Sequence, residues 1–279
     1  MTIIDGKKVA AFVKDSIAAE VRENGYKPGL AVIIVGNDPA SRVYVNNKEK
    51  ACAYCGFTSR EYALAEDTTQ GELIALIEQL NNDDEIDGIL CQLPLPKHID
   101  EKAVIEAITP SKDVDAFSEV DVGKVMIGNY AFSPCTPAGV MELLKFYDIP
   151  VSGKNAVVIG RSNIVGKPMA MLLLHADATV TLCHSKTEDL PGICRRADIL
   201  VSAVGRIGAV TADMVKEGAV VIDVGINRNA EGKLCGDVDF VSARQRASWI
   251  TPVPGGVGPM TIAMLMENTV ECFLARLGQ

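Results

Sequence analysis

Residues 156–169, AVVIGRSNIVGKPM, set two glycines, an arginine and a serine between an apolar run and the start of a helical pattern. This order suits an anion. Gly160 lets the chain leave a strand tightly, Gly166 admits close backbone approach, and Pro168 suits the first turn of a helix whose unpaired N–H groups attract phosphate. Five residues separate the glycines, so the usual dinucleotide spacing is not met, and a plain strand-to-helix turn fits the same letters.

A second set of reactive groups lies more than a hundred residues upstream, where Tyr44 and Lys48 stand four apart on one helix face. Short-chain dehydrogenases use such a pair, the lysine lowering the tyrosine's pKa, but there it follows the cofactor loop. Here it precedes the loop, and alone it reads more readily as a solvated helix face. Gln92 at a strand end and Asp115 in the turn PSKDVDAF are ordinary residues for those places. Beyond the glycine loop, the next strand ends in Cys183-His184-Ser185-Lys186, without the carboxylate that binds ribose hydroxyls in NAD sites. With Arg161 and Ser162 in the loop, this basic, hydroxyl-bearing end favours NADP, although a solvated turn fits it too.

The histidines, His98, His175 and His184, lack metal-ligand spacing, so no metal is expected. Cys52 and Cys55 form a lone C-x-x-C late in a helix, better suited to packing than to redox chemistry.

Positioning these groups requires alternating strands and helices. Val9, Val13, Ile17 and Val21 mark a helix from Lys7 that Gly25 closes. Leu30 to Gly36 is a continuous apolar strand suited to a parallel sheet. Ser41 is the expected N-cap of the helix carrying Tyr44 and Lys48, and SREYAL the next strand. Thr69 and Glu72 make a capping box. GILCQLPLP is a strand and its exit, and Asp100 caps a helix through Ile108. Residues 120–134 are glycine-interrupted and carry no clear pattern, whereas PCTPAGVMELLKFY reads as a helix entered through Pro137. The second half repeats the rhythm in AVVIG, TVTLC, DILVSAVG and AVVIDVG, followed by a turn-rich excursion and a proline-glycine loop opening a long apolar helix. A boundary near residue 140 follows, with 1–140 an α/β domain and 141–268 a Rossmann-like domain.

The 279 residues, 48% of them hydrophobic, allow two cores. A net charge of −9 disfavours nucleic acid and anionic membrane as partners. Eight cysteines in a chain of this length suggest reduced thiols. The opening residues lack a signal-like apolar stretch, and no window approaches a membrane span, so a cytoplasmic location is expected.

Nine blocks, VGNDPASRVYVNNKEKAC, DGILCQLPLP, PSKDVDAF, PCTPAGV, GRSNIVGKPMA, CHSKT, VIDVGIN, GDVDF and ITPVPGGVGPMT, stand in the order found in bifunctional methylenetetrahydrofolate dehydrogenase/methenyltetrahydrofolate cyclohydrolases, the FolD family. The chain resembles that family over nearly its whole length. The resemblance implies an α/β fold of two domains, with tetrahydrofolate derivatives held in a cleft beside a parallel-sheet NADP domain. It implies that helix 269–279 packs back on the first domain and that the protein is a homodimer. Tyr44 would stack on the folate, Lys48 would assist hydrolysis, Gln92 would position Lys48, and Asp115 would anchor the pterin. Pro254, Gly255, Gly256 and Thr261 would lie near substrate. Gly160, Arg161, Ser162, Gly166, His184, Ser185, Thr136 and Ile226 would lie near the cofactor. Ala116 replaces the glycine that usually follows the DVD triplet, which bears on that loop's geometry. The residues taken without the resemblance also fit another two-domain NADP oxidoreductase acting on a small hydroxy or keto acid, or a non-catalytic NADP-binding regulator.

Overall fold

A computed structural model describes residues 1–278, the Ala40 side chain excepted. The chain opens with β1 (Thr2–Ile3), α1 (Gly6–Asn24), β2 (Gly29–Val35), α2 (Pro39–Cys55), β3 (Thr58–Leu64), α3 (Gln70–Asn81) and β4 (Gly88–Cys91). It continues through α4 (Glu101–Ala107), α5 (Glu119–Ile127), α6 (Cys135–Phe146), β5 (Asn155–Ile159), α7 (Gly166–His175), β6 (Thr179–Cys183), α8 (Leu190–Cys194) and β7 (Ile199–Ser202). After a 3₁₀ turn at Ala212–Met214 come β8 (Val220–Asp223), the hairpin β9 (Asn227–Arg228) and β10 (Leu234–Cys235), α9 (Phe240–Ala243), β11 (Trp249–Ile250) and α10 (Val257–Leu277).

Two compact units result. One comprises residues 12–124, 129–135 and 262–279, the other residues 1–11, 125–128 and 136–261. A single cut at 140 therefore misplaces the amino terminus. Thr2 and Ile3 pair in parallel with Trp249 and Ile250, and the N–H groups of Ile4 and Gly6 donate to Ile250 and Gly255 carbonyls at 2.9 and 3.0 Å. Ile4 is fully buried there, so the first residues complete the second unit's sheet instead of the first's.

The first of these units is built on the three-stranded parallel sheet β3-β2-β4. Every residue of β2 is buried, as its unbroken apolar run requires, and one core joins Ala31, Ile33, Leu73, Ile77, Ile89 and Val104. The capping box at Thr69 and Glu72 is present, and Asp100 caps α4. The cap of α2 is Asp38 and not Ser41: its carboxylate accepts from the Ser41 N–H at 2.7 Å, with Pro39 in the first turn. An aspartate one residue before the proline stands at the cap position and can accept a free N–H of the first turn, whereas Ser41 already lies inside the helix. Likewise α6 begins at Cys135, two residues before Pro137, and residues 119–127, which showed no clear pattern, form α5.

The second unit holds a six-stranded sheet in the order β1-β11-β8-β7-β5-β6, all neighbours parallel. Its core gathers Val157, Ile159, Leu200, Val221 and Ile250. Strand order reverses direction at β5, which lies one in from the β6 edge with β6 on one side and β7 on the other, so the carboxyl end of β5 is where such sheets bind ligands. Replacing the α2 cap, Asp38→Ala, should cost about 0.5–2 kcal/mol of stability, read from the urea midpoint.

Candidate active site and nucleotide site

Along α2 the residues Ser41, Val45, Lys48, Cys52 and Cys55 recur at helical spacing and are all buried. Lys48 thus occupies a core position and is only 9% exposed, whereas Tyr44, one turn earlier, is 37% exposed. The shared face expected from their spacing is corrected accordingly: Lys48 turns into the unit and Tyr44 stays at its surface.

Lys48 Nζ donates to Gln92 Oε1 at 3.0 Å. Gln92 is itself held, its backbone N–H donating to Ile33 O at 2.8 Å and its side-chain amide to Leu93 O at 2.6 Å. Burial lowers the Lys48 pKa, and the Asp115 carboxylate is the largest charge opposing that shift. Asp115 is crowded by protein yet keeps partial solvent access. Burial raises its pKa, with Lys48 pulling the other way. Cys52, Cys91 and Cys135 lie near the amine, but burial pushes the Cys52 and Cys91 thiols up to about 12 and that of Cys135 well above its ordinary value, so they remain uncharged. Cys55 is buried as well, which fits packing for the C-x-x-C pair.

The turn carrying Asp115 is clamped by residues that sequence reading passed over. Asp113, 2% exposed, accepts N–H bonds from Phe117 at 2.9 Å and Ser118 at 2.8 Å, and its carbonyl accepts from Ala116 at 2.9 Å. These bonds hold Ala116 at φ 54°, a left-handed conformation costing a non-glycine residue about 1–2 kcal/mol. That is the physical reason a glycine suits the position. From the other side Asn268 on α10, 3% exposed, donates to Val114 O at 2.9 Å and Ser133 O at 3.1 Å. No local signal could reveal Asn268, because its partners lie more than a hundred residues away, whereas Asp113 was visible within the DVD triplet.

In the second unit Gly160 has φ 117°, and a Cβ there would collide with the Ala203 carbonyl; one at Gly166 would collide with the Gly160 carbonyl. Both glycines are required by close backbone packing. Ser162 Oγ accepts from the Val165 and Gly166 N–H groups at 3.2 and 3.3 Å, finishing the start of α7 while its own hydrogen stays available to an acceptor. Arg161 and Ser185 are exposed, and His184 Nδ1 accepts from the Lys186 N–H at 3.1 Å within its own turn. A tight glycine cradle opening a ten-residue helix beside an exposed arginine fits the phosphates of a dinucleotide.

Thr136 and Thr261 hydrogen-bond to each other at 2.9 Å, and Ile226 is 49% exposed. Pro254 is exposed, but Gly255 and Gly256 are buried, and their backbone is packed against Gly6. It is Gly6 whose small size admits the Gly256 carbonyl, while a Cβ on Gly256 itself would collide with the Pro252 carbonyl and Thr251 in its own loop.

Asp113 carries a pH signature. Burial raises its pKa to about 7, the bonds from Ser118 and Phe117 opposing and the Asp115 and Asp121 carboxylates adding to the rise. The folded value exceeds the ordinary 3.8, so this group's stabilisation is complete below 3.8 and is lost as pH rises through about 7. In thermal unfolding, the parent's advantage over Asp113→Asn should be larger at about pH 5 than at about pH 8; an equal difference would show that Asp113 does not titrate in that window.

Comparison with known proteins closes the description. The profile of the tetrahydrofolate dehydrogenase/cyclohydrolase catalytic domain matches residues 4–115, and that of the family's NAD(P)-binding domain matches residues 134–277. A bifunctional protein FolD from Acetivibrio thermocellus is 63% identical over 272 residues, covering 96% of this chain and 95% of the relative. The crystal structure of the bifunctional FolD methylenetetrahydrofolate dehydrogenase/cyclohydrolase from Campylobacter jejuni superposes with a TM-score of 0.96 at 52% identity, covering 99% of each chain. The Trypanosoma brucei enzyme, complexed with NADP cofactor and inhibitor, superposes with a TM-score of 0.95 at 42% identity over 100% of this chain and 99% of that one. With both halves matched in order and the folds superposing over the full length, the chain belongs to the tetrahydrofolate dehydrogenase/cyclohydrolase family.

Proposed function

We propose how this chain divides the labour of its two reactions. It oxidises 5,10-methylene-tetrahydrofolate to the 5,10-methenyl compound with NADP, then hydrolyses that product to 10-formyl-tetrahydrofolate. The observation carrying the assignment of residues is the buried Lys48 amine, bonded to Gln92 and opposed by Asp115.

NADP, when bound, accepts the hydride that leaves the one-carbon bridge. Nothing in that step removes a proton from the folate. Water attack on the methenyl carbon forms a C–O bond and releases one proton, which Lys48, its neutral form favoured by burial, takes; the bond from that carbon to N5 then breaks, the hydroxyl proton passing to N5 as the formyl group forms. Gln92 accepts one Lys48 N–H and thereby orients the remaining lone pair. Asp115 accepts N–H bonds from the pterin, which favour its ionised form against the cost of its burial. Tyr44 supplies an exposed aromatic face for stacking. Gly160 and Gly166 with the start of α7 receive phosphate, while Arg161, Ser162 and Ser185 meet the 2′-phosphate. His184 shapes the β6 exit; Thr136 and Ile226 adjoin the cofactor, and Pro254, Gly255, Gly256 and Thr261 adjoin the substrate.

The protein acts as a cytoplasmic homodimer in this reading. Support comes from β6, an edge strand of the large sheet with Leu182 36% exposed, whose open backbone suits pairing with a second copy. The described cysteines are all unpaired thiols, and no described helix is long and apolar enough to cross a membrane.

Lys48→Met keeps the side chain's length and removes its proton chemistry. Cyclohydrolase activity should fall by about 10²–10⁴, with a smaller loss of dehydrogenase activity, when NADPH formation and methenyl decay are followed separately. Parallel losses would make Lys48 a positioning group instead. Arg161→Ala should erode the preference for NADP over NAD by about 1.5–3 kcal/mol in the ratio of kcat/KM values, and equal use of both by the parent would sink the phosphate assignment.

A further inference from the structure

Two buried aspartates of the second unit have no part in either reaction. Asp223, at the end of β8, accepts N–H bonds from Gly225, Asp237 and Val238, each at 2.9 Å. Asp237, with no exposed surface, accepts five. Its Oδ2 receives Ser202 Oγ at 3.2 Å, Val204 N at 2.8 Å and Gly205 N at 3.2 Å, and its Oδ1 receives Arg206 N at 2.8 Å and Asn227 Nδ2 at 3.0 Å. Gly225 and Gly236 leave the room: a Cβ on either would collide with the Asp237 or the Asp223 carboxylate.

Three successive backbone N–H groups converging on one carboxylate form a nest, and a nest beyond the carboxyl end of a parallel strand is a phosphate-binding feature in other nucleotide proteins. In this chain the nest follows β7, the direct neighbour of β5, and an internal anion already fills it. The loop it holds begins at Ala203, whose N–H donates to Ile159 O at 2.8 Å and whose carbonyl occupies the space a Gly160 side chain would need. A continuous path of contacts therefore runs from Asp237 through residues 203–206 to the glycine loop.

We propose that Asp237 is a positioning residue for the cofactor: a built-in anion that saturates the 204–206 nest, directs the cofactor's phosphates to the Gly160–Gly166 loop, and fixes the surface against which that loop is seated. The inference rests on reading residues 160–166 as the phosphate loop. Neutral replacements would leave converging N–H groups without a charged acceptor, letting the loop shift or capture phosphate in the wrong place.

Asp237→Ala should weaken NADP binding at least tenfold in equilibrium titration, while methenyl hydrolysis assayed without NADP stays within about twofold, because Lys48 and its partners belong to the other unit. Added formate should restore NADP affinity by refilling the nest, and formamide, similar in shape but uncharged, should not. Unchanged affinity, or a loss that formate fails to reverse, overturns the proposal. Should the alanine variant not fold, Asp237→Asn keeps the volume and removes only the charge; it should bind NADP at least fivefold more weakly, and parental affinity would overturn the proposal as well. Arg161→Ala measured alongside separates the two levels. If it leaves NADP affinity intact, the phosphate-loop reading fails and this inference with it; if only the Asp237 variants do so, this inference alone fails.

Discussion

Burying an amine costs more than a single carboxylate neighbour returns, and the unit that holds α2 is arranged around that imbalance at Lys48. The apolar stripe of α2 carries lysine where a leucine would pack, so the side chain enters the core whether or not it is charged. Without Asp115 the charged form would be disfavoured further, and with a fully solvated site the amine would stay a surface cation at neutral pH. Gln92, tied down at both its backbone and its amide, gives the amine one fixed hydrogen bond and hence one direction in which to act. The three surrounding thiols fill space without adding charge.

Both units solve their loop problem in the same way. A loop leaves N–H groups without ladder partners, and here a buried aspartate collects them: Asp113 takes those of Phe117 and Ser118 just before α5, and Asp223 and Asp237 take those beyond β8 and β7. Such a carboxylate fixes two or three residues at once, which a single turn hydrogen bond does not. The cost of its desolvation shows in the raised pKa values of Asp113, about 7, and Asp223, about 6. Ala116 in its left-handed conformation is held by this device, and Gly225 and Gly236 exist to accommodate it.

Much of this could be read from the letters. Unbroken apolar runs such as Leu30–Val35 announced buried parallel strands, and Gly160 with Gly166 announced a tight strand-to-helix turn, because those features depend on neighbours in sequence. The Thr69 capping box was visible for the same reason. What stayed hidden depends on distant chain. The Asn268 clamp on Val114, the place of residues 1–4 in the far sheet, and the Gly6 backbone filling the space beside Gly256 have no local signature. The inward turn of Lys48 lay between these cases: its membership of the 41-45-48-52-55 stripe was present in the spacing, but pairing it with Tyr44 on charge and aromaticity obscured it.

The pairing of Thr2 with Trp249 has a consequence for how the molecule is made. β1 leaves the ribosome well before β11, the strand it pairs with. At about 5–20 residues per second that partner arrives roughly 10–50 s later. During this interval Thr2 and Ile3 lack their β11 partner, while β2, β3 and β4 come to possess all their sheet partners. Vectorial synthesis thus lets the β3-β2-β4 sheet assemble before the six-stranded sheet, which stays open beside β8 until β11 emerges.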